Sequence, residues 1–196
     1  GSLVYDGSAK AATVTGDTSV LGTPSIAYKK GNTSLGLNAP KDVGTYTASI
    51  TLGSGEGAAT VSVGFTITAR PITITAAGGS YPYDGAEHLQ PGYTVDGLVC
   101  HDTVYVTTSG GTAGGGITFP SQSPVTNTVN LTGMTFNPGN SNNYQVNTES
   151  GSLTMHCPDT KPALTLKASD GTWPYDGQAH TSGTYTLSYN GNTYTS

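Results

Sequence analysis

The chain has 196 residues, of which 28 are glycine and 12 are tyrosine, and only 10% of its residues are charged. This composition disfavours helices, since glycine weakens a helix interior and tyrosine suits a pleated, half-buried surface. No apolar stretch reaches the ~18 residues that a membrane span needs, and no leader peptide is recognisable. Regularly spaced apolar residues disfavour disorder, so we expect a folded all-β protein.

The tripeptide Tyr-Asp-Gly occurs three times, which indicates an internal repeat. Its copies are Tyr5-Asp6-Gly7, Tyr83-Asp84-Gly85 and Tyr175-Asp176-Gly177. Residues 72–95 and 164–187 align without a gap and share ten identities in 24 positions. We predict repeat 1 over 1–70, repeat 2 over 71–160 and the start of an incomplete repeat 3 over 161–196. In each copy we expect the aspartate to bond nearby backbone in a turn and the glycine to supply a positive φ.

In repeat 1 the alternation of apolar and polar residues predicts five short strands, at 3–5, 11–15, 25–29, 44–52 and 60–68. The segment Asp42-Val43-Gly44-Thr45-Tyr46 matches the Asp-x-Gly-x-Tyr pattern that opens strand F of immunoglobulin-like (Ig-like) sandwiches. We predict a structural tyrosine corner formed by Asp42, Gly44 and Tyr46, in which the Tyr46 hydroxyl bonds to backbone upstream.

In repeat 2 the same pattern predicts strands at 72–76, 93–95, 103–108, 125–131, 144–147 and 152–156, with a glycine-rich loop at 109–116. This repeat contains six acidic residues and no lysine or arginine. An acidic surface can attract calcium or a basic partner, although a solvated surface is the commoner case. The net charge of −5 argues against nucleic acid as a partner. We predict no cofactor, with calcium as the alternative.

The two cysteines, Cys100 and Cys157, both lie in repeat 2. We predict a disulfide between them, because closing such a loop removes on the order of 4 kcal/mol of unfolded-chain entropy. Two buried free thiols are one alternative. A zinc site with the adjacent His101 and His156 is disfavoured, because neighbouring residues of a strand point to opposite faces.

Four sequence segments resemble the bacterial Ig-like "mostly beta, glycine-rich" (MBG-type) repeats of large cell-surface proteins and adhesins. The segments are Tyr-Asp-Gly-Ser-Ala-Lys at 5–10, Ala-Pro-Lys-Asp-Val-Gly-Thr-Tyr-Thr at 39–47, Phe-Thr-Ile-Thr-Ala-Arg at 65–70 and Tyr-Pro-Tyr-Asp-Gly-Ala-Glu-His at 81–88. The resemblance implies tandem Ig-like β-sandwich modules arranged end to end. It further implies export to the bacterial cell surface or cell wall, and a role as a stalk or in adhesion. Repeat 2 departs from the shorter family pattern in its long middle and its cysteines.

Residues with catalytic chemistry are sparse. There is no Gly-x-Ser-x-Gly elbow and no phosphate-binding loop, so we predict that the chain is not an enzyme. Tyr81 and Trp173, each followed by Pro-Tyr, are candidates for stacking on a sugar, although an aromatic residue before a turn is more typical of a packing anchor. His88 and His180 occupy the same repeat position, which indicates a structural role.

The sequence thus predicts a non-enzymatic, extracellular repeat fragment of a bacterial surface protein, acting as a stalk or adhesion module. The alternative is a binding module centred on repeat 2, whose partner would be a host mucin glycan or other glycoprotein, a matrix protein or an immunoglobulin. Such a partner could bind by pairing one of its strands with an exposed edge strand of the repeat. A third hypothesis is self-association, in which the incomplete third repeat borrows strands from a neighbouring molecule.

Overall fold

The structure of the chain is a computed structural model that describes residues 2–15, 25–52, 58–99, 101–138, 140–157, 164–181, 183–189 and 192–195. Within these ranges the regular structure is β-strand, apart from short 3-10 turns at Ser109–Gly111, Pro120–Gln122 and Ser141–Asn143. The strands form several sheets. The prediction of an all-β protein is therefore confirmed.

The strands of repeat 1 form a single five-stranded sheet with the order β1-β5-β4-β2-β3. They are β1 (Ser2–Val4), β2 (Ile26–Lys30), β3 (Thr33–Gly36), β4 (Gly44–Leu52) and β5 (Ala59–Thr68). Strands β1 and β5 are parallel, and the other neighbours are antiparallel. Tyr28, Tyr46, Ala48 and Ile67 are buried, because alternate residues of a strand face the same side.

The prediction of a strand at residues 11–15 is wrong. This segment has no strand pairing, and the amide of Ala12 donates instead to the Tyr28 hydroxyl at 2.9 Å. Apolar alternation alone does not create a strand, since the backbone also needs a neighbour to pair with.

Repeat 2 contains eight described strands in three sheets, with the orders β12-β6-β8, β10-β13-β7 and β11-β9. The strands are β6 (Arg70–Ala76), β7 (Gly79–Pro82), β8 (Tyr93–Asp96), β9 (Thr103–Thr108), β10 (Val125–Asn127), β11 (Val129–Asn137), β12 (Tyr144–Glu149) and β13 (Gly151–His156). The consecutive strands β6 and β7 pair in parallel with the consecutive strands β12 and β13. The first and last segments of the repeat therefore run side by side.

Two hydrophobic clusters lie inside repeat 2. One contains Ile74, Val104 and Val106, and the other contains Ile117, Leu153 and Met155. A third cluster is shared with repeat 1 and is described below.

Repeat 3 has three described strands, β14 (Thr165–Ala168), β15 (Tyr185–Tyr189) and β16 (Asn192–Thr195), in that spatial order. Its pairing register copies that of repeat 2. Ala168 pairs with Tyr185 as Ala76 pairs with Tyr93, and each of the four pairs is displaced by the same 92 residues as the sequence alignment. The similarity between the two segments therefore extends to their strand pairing.

Candidate functional site

All three Tyr-Asp-Gly motifs form the same turn. The aspartate Oδ1 accepts the backbone N–H two residues on, in Ser8 (2.8 Å), Ala86 (2.9 Å) and Gln178 (2.9 Å). The glycine that follows each aspartate has a φ of +73° to +84°, a region that favours glycine.

A basic or imidazole side chain four residues after each aspartate closes the turn. Lys10 pairs with Asp6, His88 Nε2 lies 3.0 Å from Asp84 Oδ1, and His180 Nε2 lies 2.8 Å from Asp176 Oδ1. The Lys10 hydrogen bond, and then the Ser8 amide, lower the pKa of the Asp6 carboxyl. The Ala86 amide, and then His88, lower the pKa of Asp84. These carboxylates are thus held ionised by the turn itself.

Each aromatic residue considered as a sugar ligand packs against a histidine and a glycine, and Trp173 is 43% exposed. Tyr81 stacks on His88 with ring centroids 4.6 Å apart, and Trp173 stacks on His180 at 5.5 Å. A glycine lies close against each ring as well. A Cβ on Gly79 would approach Tyr81 Cζ to 2.7 Å, and one on Gly171 would approach Trp173 Cη2 to 2.0 Å. This geometry favours the packing role over sugar stacking.

The predicted tyrosine-corner residues lie at the start of β4. The Tyr46 hydroxyl donates to the Asp42 carbonyl at 2.7 Å, four residues upstream. The ring of Tyr46 is buried and stacks on Phe65 at 5.7 Å. Asp42 and Val43 both contact repeat 2, so this turn also belongs to the boundary between the two repeats.

Repeats 1 and 2 meet in one hydrophobic cluster, which we call the junction. Its buried members are Tyr5, Tyr46 and Ile67 from repeat 1, and Ile72 and Tyr144 from repeat 2. The rings of Tyr5 and Tyr144 meet edge to face, with centroids 5.5 Å apart. Only Ala69 separates β5 from β6, so the chain passes through the junction without a loop.

Polar groups at the junction are also paired across it. Buried Asn143 donates through Nδ2 to Asp42 Oδ1 at 2.9 Å and accepts the Val43 amide at 2.9 Å. The Asp102 carboxylate accepts the Tyr144 hydroxyl and lies 3.5 Å from the Tyr5 hydroxyl. Burial and the Asp102 carboxylate both raise the pKa of Tyr144, and the same two causes raise the pKa of Tyr5.

The three motif tyrosines have different surroundings. Tyr5 is buried in the junction, Tyr83 is partly exposed beside Phe119 with ring centroids 6.3 Å apart, and Tyr175 is 98% exposed. The same Tyr-Asp-Gly tripeptide therefore places its tyrosine in three different environments.

The loop after β9 is held by side-chain hydrogen bonds. Glu87 accepts the amides of Gly114 and Gly116, and Gln122 accepts the amides of Thr118 and Phe119. Fully buried Asn127 donates to the carbonyls of Ala77 and Gln90. Phe119 is left half exposed at the surface of this loop.

Cys157 is exposed and its thiol is free. Cys100 lies outside the described residues. The disulfide between Cys100 and Cys157 therefore stays a prediction.

The described residues contain no group of three or more His, Cys, Asp or Glu side chains arranged to hold a metal ion. In the same part of the chain there is no apolar helix of membrane-spanning length. No family model matches the sequence, and no curated protein is significantly similar to it.

The sequence prediction found the turn and corner residues but missed Asp102, Asn143 and Tyr144. These three join elements about 40 to 100 positions apart, as in the Asn143–Asp42 bond. No local pattern marks these three residues, because their partners lie far away in the sequence.

Proposed function

We propose that this chain is a run of tandem Ig-like modules that serves as a stiff spacer in an extracellular bacterial surface protein. The observation that carries the proposal is the junction, in which the two repeats share one hydrophobic cluster. A spacer needs modules that hold their relative orientation, and a shared core resists bending.

The strand order in repeat 1 supports the Ig-like part of the proposal. Strands β2, β4 and β5 lie side by side, as strands C, F and G do in an Ig-like sheet. Tyr46 then stands near the start of the F-like strand, and its hydroxyl reaches back to Asp42 as in a tyrosine corner. The resemblance to surface-protein repeats supports the location.

The energetics of the junction support stiffness. Bending the chain at Ala69 would expose the rings of Tyr5 and Tyr144, and apolar surface costs about 25 cal/mol per Å² when it returns to water. It would also break the two hydrogen bonds of Asn143, a buried side chain. Leaving a buried polar group unpaired costs about 1–3 kcal/mol.

Residual dipolar couplings of the whole chain test this proposal. We expect the amides of repeats 1 and 2 to fit a single alignment tensor, because the junction joins them into one body. A variant with the four residues Gly-Ser-Gly-Ser inserted between Ala69 and Arg70 provides the control. Its flexible linker should give repeat 1 and repeat 2 different alignment tensors. Two different tensors in the unmodified chain would rule out the stiff spacer.

A second candidate function is binding by repeat 2, favoured by the exposed pair of Tyr83 and Phe119. The pair lies beside a loop braced by Glu87 and Gln122, so its aromatic surface is presented without a large ordering cost on binding. Such a surface fits the host glycoproteins, matrix proteins or immunoglobulins expected from the sequence.

Binding of the chain to immobilised mucin, matrix proteins and immunoglobulins tests this second function. Saturable binding that falls at least about tenfold in Phe119→Ala would support it, since aromatic anchors dominate many interfaces. Leu131→Ala, another exposed apolar residue of repeat 2, is the matched control. An equal loss of binding in both variants would show that Phe119 is not a specific contact.

A further inference from the structure

Repeat 1 has a surface cleft between the β2–β3 hairpin and the turn before β4. The volume of this cleft is about 520 Å³. Its lining combines two lysines, one carboxylate, a hydroxyl and an amide with a few apolar side chains. Sites for small molecules typically have volumes of about 300–1,000 Å³ and a small number of placed polar groups. The cleft therefore has both the size and the mixed chemistry of a ligand site.

The ammonium group of Lys30 is positioned by contacts at one wall of the cleft. Its Nζ donates to the Val43 carbonyl at 3.1 Å and lies 5.5 Å from the centroid of the Tyr46 ring. Gly44 leaves room for the lysine stem, since a Cβ at that position would lie 2.7 Å from Lys30 Cε. An ammonium has three donors, and the Val43 carbonyl uses one of them. Two donors remain for a ligand, and a side chain already held in place loses less entropy on binding.

Lys41 supplies a second positive charge to the same cleft. Its side chain is exposed, and it forms no ion pair within the described part of the chain. The one carboxylate in the lining belongs to Asp42, whose Oδ1 already accepts from Asn143. The cleft therefore carries a net positive charge in a chain whose net charge is −5. A cleft lined by one sign of charge attracts ligands of the opposite sign.

The other lining groups favour a sugar acid over a small inorganic anion. Ser34 and Asn38 are exposed and offer a hydroxyl and an amide, which both donate to and accept from sugar hydroxyls. The Asp42 carboxylate repels a bare anion but accepts hydrogen bonds from hydroxyl groups. Leu35 and Ala39 add apolar surface for the C–H groups of a sugar ring. An anionic group and several hydroxyls on one small molecule match this set.

We propose that this cleft binds an acidic saccharide, a sugar that carries a carboxylate. The carboxylate pairs with the ammonium groups of Lys30 and Lys41. The ring hydroxyls form hydrogen bonds with Ser34, Asn38 and Asp42. The site lies in repeat 1, so it depends neither on the stiffness of the chain nor on the exposed pair of Tyr83 and Phe119.

A titration of the whole chain with methyl β-glucuronide, followed by NMR of the backbone amides, tests the proposal. We expect saturable shifts for amides between Asn38 and Asp42. Methyl β-glucoside, the neutral sugar with the same ring, should bind at least about tenfold more weakly, because hydrogen bonds to a charged group are the stronger ones. Inorganic phosphate should also bind more weakly, since it lacks the ring hydroxyls.

Substitution of the two lysines tests which groups hold the carboxylate. Lys30→Gln and Lys41→Gln should each weaken binding of the glucuronide at least about fivefold, because each removes a charge-assisted hydrogen bond. Lys29→Gln is the matched control, since Lys29 is exposed on the same strand but faces the other side of the sheet. Lys41 has an exposed side chain, so its substitution leaves the fold intact even if Lys30→Gln disturbs the turn.

Three results would overturn the proposal. One is the absence of saturable shifts when the glucuronide is added to the unmodified chain. Another is binding of the glucoside or of phosphate as tight as that of the glucuronide, which would mean that the cleft does not recognise a sugar acid. The third is an equal loss of affinity in Lys29→Gln, which would indicate general attraction to the positive charge of repeat 1.

Discussion

At the scale of single residues, Asn143 is the polar centre of the junction. Asn143 is 2% exposed and lies immediately before β12. Its side-chain nitrogen and its side-chain oxygen each form a hydrogen bond to the turn before β4. An amide suits this position because it donates to the Asp42 carboxylate and accepts from the Val43 amide at the same time.

We expect Asn143→Ala to lower the free energy of unfolding by about 1–3 kcal/mol, because the Val43 amide and Asp42 lose their partner away from water. Urea denaturation measures the change. Asn142→Ala is the control, since Asn142 is exposed and its backbone amide, which donates to the Asn140 side chain, is kept in the variant. If both variants were equally stable, Asn143 would have no special part in the junction.

The tyrosine hydroxyls beside Asp102 make stability depend on alkaline pH. The pKa values of Tyr144 and Tyr5 are raised in the folded state, so the unfolded chain loses these protons first, above about pH 10. Stability is therefore full below that pH and declines as the pH rises toward the folded-state pKa values. We expect the urea midpoint to be lower at about pH 11 than at about pH 9.

Tyr144→Phe provides the comparison for this pH dependence. It removes one of the two hydroxyls and should make the decline in urea midpoint shallower, whatever its effect at neutral pH. An identical slope in the variant and the parent chain would show that other groups cause the alkaline loss.

At the scale of elements, the recurrent unit is a turn with an aromatic stack. The Tyr-Asp-Gly turn brings the residue four positions after the aspartate back onto that carboxylate, and in two of the three copies this residue is a histidine stacked on an aromatic ring. A glycine stands two residues before each aromatic residue, and a Cβ at Gly79 or Gly171 would collide with the ring.

The stack in repeat 3 can be monitored by fluorescence, since Trp173 is the only tryptophan. We expect His180→Ala to shift the emission to longer wavelength, because removing the imidazole opens one face of the indole to water. His156→Ala, at an exposed histidine of repeat 2, should leave the spectrum unchanged. An unchanged spectrum in His180→Ala would contradict the stacking.

At the scale of the whole molecule, the junction predicts that repeats 1 and 2 unfold together. Native-state hydrogen exchange should give the slowest amides of β4 and β9 the same opening free energy, because opening the shared cluster exposes buried residues of both repeats. Tyr5→Ala should separate the two values and lower both. Tyr83→Ala, the equivalent change at a partly exposed motif tyrosine, should preserve the coupling. Unequal values in the unmodified chain would show that the repeats are independent.

The sequence by itself determined the features that depend on neighbouring residues. The all-β character, the repeat offset and the Tyr-Asp-Gly turns follow from backbone preferences and from hydrogen bonds that span two to four positions, so they can be read locally. The strands at 44–52 and 103–108 were predicted with their observed bounds for the same reason.

The tertiary structure alone decided which residues meet and which stay exposed. Strand β7 was not predicted because its glycine and proline are typical of turns, and it is a strand only because β13 lies beside it. Tyr5 and Tyr175 share a motif, yet one is buried and the other is 98% exposed. Burial depends on the partner surface that folding brings up from elsewhere in the chain, and a local sequence pattern holds no information about that surface.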